Sequence, residues 1–64
     1  MVRINGEEEN VAGMTIEDYI TSKGYDKTRI AVEINLDIVP KCDYGSKTLK
    51  DGDTVEVVSF VGGG

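Results

Sequence analysis

The sequence contains no histidine and no tryptophan, and only one cysteine and one proline. Each scarcity excludes something. Without histidine the usual general base is missing. One cysteine cannot close an internal disulfide or build a zinc or iron–sulfur centre. No apolar run approaches the roughly 20 residues of a membrane span. The opening MVRINGEEEN holds no apolar leader. Basic residues are scarce too: seven stand against twelve acids in 64 residues, for a net charge of −5. Nucleic-acid binding needs a basic face that releases counterions, so no nucleic-acid partner is expected. The expectation is an acidic, cytoplasmic chain that is monomeric when free and touches no membrane.

Hydrophobic residues make up 39% of the chain and are spread along it. That distribution suits one small core and argues against disorder. The domain is expected to occupy residues 1–61, with 62–64 as a flexible glycine tail. Residues 2–5 alternate apolar and polar, as in a half-buried strand. Asn5-Gly6 is a hairpin dipeptide. Residues 7–12 are read as the returning strand, with an acidic start that suits a sheet edge.

The best helix signal covers 15–23. Thr15 is the N-cap, and Asp18 stands three residues on, as in a variant capping box. Ile16, Tyr19 and Ile20 share one face. Gly24 is the left-handed stop, with Tyr25 folding back on Ile20. A strand over 29–34 follows, with Ile30, Val32 and Ile34 on one side. Residues 35–37 turn the chain, Ile38-Val39 is a short extended piece, and Pro40 ends it. Residues 41–48 show no period. Leu49 is read as a core plug before the turn at Asp51-Gly52-Asp53. Residues 54–61 (TVEVVSFV) form the strongest strand. The fold class is therefore α+β: a β-grasp, ubiquitin-like mixed sheet of four to five strands with one helix packed across it. A purely antiparallel α+β meander is the alternative.

Four places could carry chemistry. Cys42 has Lys41 before it and Asp43 after it, but no histidine to activate it, so no catalytic role is assigned. The run Glu7-Glu8-Glu9 alternates faces on a strand and reads as solvated surface, with no metal site. The glycine tail Gly62-Gly63-Gly64 has two readings. It is a frayed end, or it is a slender arm that threads an enzyme channel and presents the Gly64 carboxylate. Extended, Val61 to Gly64 would reach about 13 Å. In the last strand, Val55 and Val57 share one face, and Val58 and Phe60 the other. With Val55 and Val57 in the core, Val58 and Phe60 point outward beside the tail, as a docking patch or as incidental surface.

Taken together, Asn35, Ile38-Val39-Pro40-Lys41, Leu49-Lys50-Asp51-Gly52-Asp53, the apolar strand and the terminal Gly63-Gly64 resemble the ThiS family. These are the sulfur carriers of thiamine biosynthesis, and the resemblance covers essentially the whole chain. The molybdopterin-synthase small subunit (MoaD) is similar in fold and ending. It tends to carry prolines before its glycines, whereas Ser59-Phe60-Val61 has none. Ubiquitin-like modifiers and Urm-type carriers are also similar. Gly62 makes a triple glycine where the family often has another small residue.

The resemblance implies a protein co-substrate with no catalytic residue and no bound cofactor. An adenylating enzyme of the ubiquitin-activating (ThiF) type would use ATP-Mg to convert the Gly64 carboxylate to an acyl-adenylate. A persulfide donor such as a cysteine desulfurase would supply the sulfur, giving a Gly64 thiocarboxylate. A thiazole synthase of the ThiG type would consume it. Val58 and Phe60 would dock the activating enzyme, so that Phe60→Ala weakens adenylation and spares the fold. The competing expectations are a MoaD-like carrier for another thiocarboxylate pathway and a ubiquitin-like module that undergoes no chemistry.

Overall fold

The computed structural model describes residues 1–60. The chain runs β1 (Val2–Ile4), β2 (Glu7–Glu9), α1 (Ile16–Lys23), β3 (Ile30–Ile34), β4 (Asp37–Ile38) and β5 (Thr54–Ser59). The strands form one sheet in the order β2-β1-β5-β3-β4. β1 and β5 pair in parallel, and the other pairs are antiparallel. That central parallel pair rules out the meander and gives the β-grasp sheet.

Two hairpins share one turn chemistry. Asn5 and Gly6 have φ of 52° and 84°, the two left-handed residues of a type I′ turn, whose twist matches that of its strands. Asn35 and Leu36 repeat this between β3 and β4, with φ of 52° and 75°. Leucine is a rare occupant of that region, because its Cβ crowds the following carbonyl. The two asparagines also hold β5 from opposite sides. Asn5 Oδ1 accepts from the Val57 N–H at 2.9 Å, and Asn35 Oδ1 accepts from the Thr54 N–H at 3.0 Å.

The helix forms as its sequence signals require. Thr15 Oγ1 accepts from the Asp18 N–H at 3.1 Å, capping an otherwise orphan donor. Glu17 and Asp18 in the first turn and Lys23 in the last complement the helix dipole. At the far end Gly24 is left-handed at φ 77°. Its N–H reaches Thr21 O at 3.1 Å, and the Tyr25 N–H reaches Ile20 O at 2.9 Å. These are the two bonds of a Schellman ending.

Ile16, Tyr19 and Ile20 from the helix meet Val2, Ile4, Ile30, Val32, Ile34 and Val55 from the sheet in one core. Leu49 plugs it as expected. Its backbone is tied on both sides, N–H to Met14 O and carbonyl to the Gly13 N–H, both at 2.8 Å.

Three expectations are corrected. The second strand is shorter than residues 7–12 and ends at Glu9. Beyond it the chain turns toward the helix, with the Met14 N–H bonded to Val11 O. The third strand starts at Ile30 and not at 29, because residues 27–29 form a single 3-10 turn capped by Asp26. The two Thr28 donors, O–H and then N–H, hold the Asp26 carboxyl below its usual range. Finally, the strand read over 54–61 ends at Ser59. Residues 41–48, to which no element was assigned, hold one. Lys41–Asp43 make another 3-10 turn, which drops Tyr44 into the core, fully buried.

Candidate functional site: the last strand and its end

The long β-forming run sits at the middle of the sheet, where β1 and β3 hydrogen-bond it on either side. Alternation then decides its two faces. Val55 is buried against the helix, and Val57 is half-buried beside it. Val58 and Phe60 face outward, 52% and 46% exposed. The face assignment read from the sequence holds. On that outer face Val58 stands opposite Ala31, and Glu56 stands opposite Glu33, which has Ile38 on its other side. An open cleft of about 420 Å³ lies at Glu33, Asn35, Leu36, Thr54 and Glu56.

The end of the strand is held from two directions. The Phe60 N–H donates to Arg29 O at 2.9 Å, one rung past Ile30–Ser59. The Lys41 ammonium lies 5.8 Å from the centre of the Phe60 ring and donates to Ile30 O at 2.9 Å. The sequence reading singled out Phe60 and missed Lys41 as its neighbour. Val61, Gly62, Gly63 and Gly64 lie outside the described residues.

The other candidates resolve as surface. Cys42 is exposed, and its Sγ donates to Asp43 Oδ1 at 3.7 Å. The three glutamates diverge as strand alternation demands. Glu8 pairs with Arg3 at 2.9 Å, while Glu9 turns to the helix side. There it accepts from the Tyr19 phenol at 3.1 Å and meets Lys23 at 3.3 Å. Burial first, and then the Glu9 carboxylate, push the Tyr19 phenol well above its ordinary range. Among the described residues, no group of three acids, cysteines or histidines is placed to hold a metal, and no helix is long and apolar enough to cross a membrane.

The fold and site define a class by architecture: a β-grasp domain with an apolar outer strand end. The comparisons give the family. The sequence pattern of the ThiS family matches residues 2–64. A thiazole synthase of Paramagnetospirillum magneticum is 50% identical over 62 residues, covering 95% of this chain but only 19% of that protein. The sulfur carrier protein ThiS of Bacillus subtilis is 36% identical over 67 residues, with both chains fully covered. The crystal structure of the thiamine biosynthesis protein ThiS from Geobacter metallireducens superposes with a TM-score of 0.77 at 25% identity, covering 98% of this chain and 97% of that one. The chain belongs to the ThiS family, the sulfur carriers of thiamine biosynthesis. The chain spans about a fifth of the length of the thiazole synthases it matches.

Proposed function

We propose that the chain carries sulfur as a thiocarboxylate at Gly64. The carboxylate oxygen attacks the α-phosphorus of ATP and releases pyrophosphate, giving an acyl-adenylate. The terminal sulfur of a persulfide then attacks the carbonyl carbon and expels AMP. A thiol next cleaves the resulting acyl disulfide, leaving the thiocarboxylate on Gly64 and a disulfide on the donor. Physically, adenylation exchanges a poor leaving oxygen for a good one. The chain supplies only the acyl group. An adenylating enzyme of the ubiquitin-activating (ThiF) type supplies the ATP-Mg site, and a persulfide donor such as a cysteine desulfurase supplies the sulfur.

The observation that carries this reading is one of position. The outward Val58 and Phe60 stand at the end of the central strand, and the sequence runs from there into Gly62-Gly63-Gly64. An apolar pair at that place gives an enzyme something to grip, while glycines let the chain enter a channel too narrow for side chains. A thiazole synthase of the ThiG type is the proposed acceptor. The Paramagnetospirillum protein of that name contains a counterpart of nearly the whole of this chain, which supports it. In this reading the carrier works in the cytoplasm, is monomeric when free and binds no cofactor of its own.

Intact mass after incubation with the activating enzyme, ATP-Mg and a persulfide donor tests the reading. Replacement of one oxygen by sulfur, lost when Gly64 is deleted, is the expected result. No change with an enzyme shown to be active on another carrier would leave a ubiquitin-like module that undergoes no chemistry.

A further inference from the structure

Lys41 stands where a sheet stops and a side chain continues it. The β3–β4 ladder pairs Glu33 with Ile38 and Ile34 with Asp37, and the Val39 N–H still reaches Val32 O at 2.9 Å. The next partner in that register is Lys41 for Ile30. Its backbone cannot serve, because Pro40 breaks the strand and Lys41–Asp43 coil into a 3-10 turn. The carbonyl of Ile30 is therefore left beyond the end of β4. The Lys41 Nζ donates to it instead, at 2.9 Å.

The same ammonium reaches the next strand over. Ile30 pairs with Ser59, and the following residue, Phe60, has its ring centre 5.8 Å from Nζ. That distance falls within the range in which an ammonium is attracted to an aromatic face. One side chain thus joins the edge turn, the first residue of β3 and the last described residue of the chain. Of the residues it joins, Ile30 buries its side chain in the core, but Lys41 bonds only the Ile30 carbonyl, and Lys41 and Phe60 are not core residues.

We propose that Lys41 is a positioning residue for the reaction at Gly64. It sets the orientation of the Phe60 ring, and with it the surface that the activating partner meets at the root of the tail. The inference rests on the carrier reading, since only an activated carrier needs this end presented in one geometry.

The full chain carrying Lys41→Met or Lys41→Arg tests it. Methionine keeps an unbranched apolar stem and removes charge and donor. Arginine keeps both and also stacks on aromatic faces. In the free proteins, the Phe60 ring protons are followed by NMR together with the thermal midpoint. With the activating enzyme and ATP-Mg, KM and kcat for adenylation are measured. Lys41→Met should move the Phe60 ring shifts toward those of an unstructured peptide. It should raise KM about fivefold, the lower end of a typical coupling, with kcat within about twofold. Lys41→Arg should restore both readouts. Wild-type KM in Lys41→Met, or no rescue by arginine, overturns the proposal. So does a lowered thermal midpoint with unmoved ring shifts, which would mark a merely structural residue. Wild-type protein that the active enzyme never adenylates removes the carrier reading and the functional role with it. The ring shifts, read in the free protein, still show whether Lys41 orients Phe60.

Discussion

Replacing Leu36 with glycine should make the isolated protein more stable. Leu36 has φ of 75° at the second position of a type I′ turn, where a side chain costs about 1–2 kcal/mol. Glycine removes that strain but loses more chain freedom on folding, worth roughly 0.5–1 kcal/mol. Leu36 is 87% exposed, so truncation forfeits only a small part, about 0.3 kcal/mol, of the transfer energy of a leucine. The balance is a gain of about 0.5 kcal/mol, which for a domain of this size raises the thermal midpoint by about 2–4 °C. Leu36→Ala is the control. It removes the exposed apolar side chain and keeps the Cβ strain, so its midpoint should not rise. Thermal unfolding followed by far-ultraviolet circular dichroism, at one protein concentration, gives both numbers. A Leu36→Gly midpoint at or below that of Leu36→Ala would refute the reasoning, because left-handed strain would then not be the term that matters.

Three further outcomes are expected. Glu33 and Glu56 face each other on the outer sheet face, and directly opposed like charges are destabilising by about 0.2–1 kcal/mol. Glu56→Gln should raise the thermal midpoint by about 1–8 °C, with the gain shrinking in high salt. The folded chain holds the Tyr19 proton more tightly than a free phenol does, and the unfolded chain gives that proton up near pH 10. The native state therefore binds more protons in that range, and stability falls as pH rises above about 10. Urea midpoints across that window should fall less steeply for Tyr19→Phe than for wild type. Finally, one extra residue after Gly64 should abolish sulfur loading by intact mass, and an extended protein loaded at its new terminus would count against strict positioning.

Much of the fold was legible because its signals are local. Thr15, Gly24 and the Ile16–Tyr19–Ile20 stripe fix a helix with both of its caps, and Asn5-Gly6 fixes a hairpin. The faces of the last strand followed from alternation alone, which is why Val58 and Phe60 were placed correctly. What stayed hidden depends on contacts between distant segments. Tyr44 sits in a stretch without periodicity, and only the 3-10 turn at Lys41–Asp43 aims it inward. Asn35-Leu36 did not read as a type I′ turn, because the second residue is not glycine. Lys41 entered the sequence reading only as the cation beside Cys42 and as part of the Ile38-Val39-Pro40-Lys41 run. Its relation to Ile30 exists only in the sheet register, although Pro40, placed just ahead of the residue that would continue the ladder, was a visible sign that the backbone could not.

These hidden contacts converge on one strand. β5 is held by Asn5 from the β1 side and by Asn35 from the β3 side, and Lys41 reaches the ring that follows it. A domain of this length has only about 3–10 kcal/mol of total stability, so local opening is within easy thermal reach. Side chains that bond directly to the central strand keep its end in register even when the edges fray. On the proposed carrier reading this order matters more than it would for an enzyme, because the partner's pocket encloses the reacting group. On that reading, the chain's part in lowering a barrier is to arrive with the strand end already ordered, so that little of the partner's binding energy goes into ordering it.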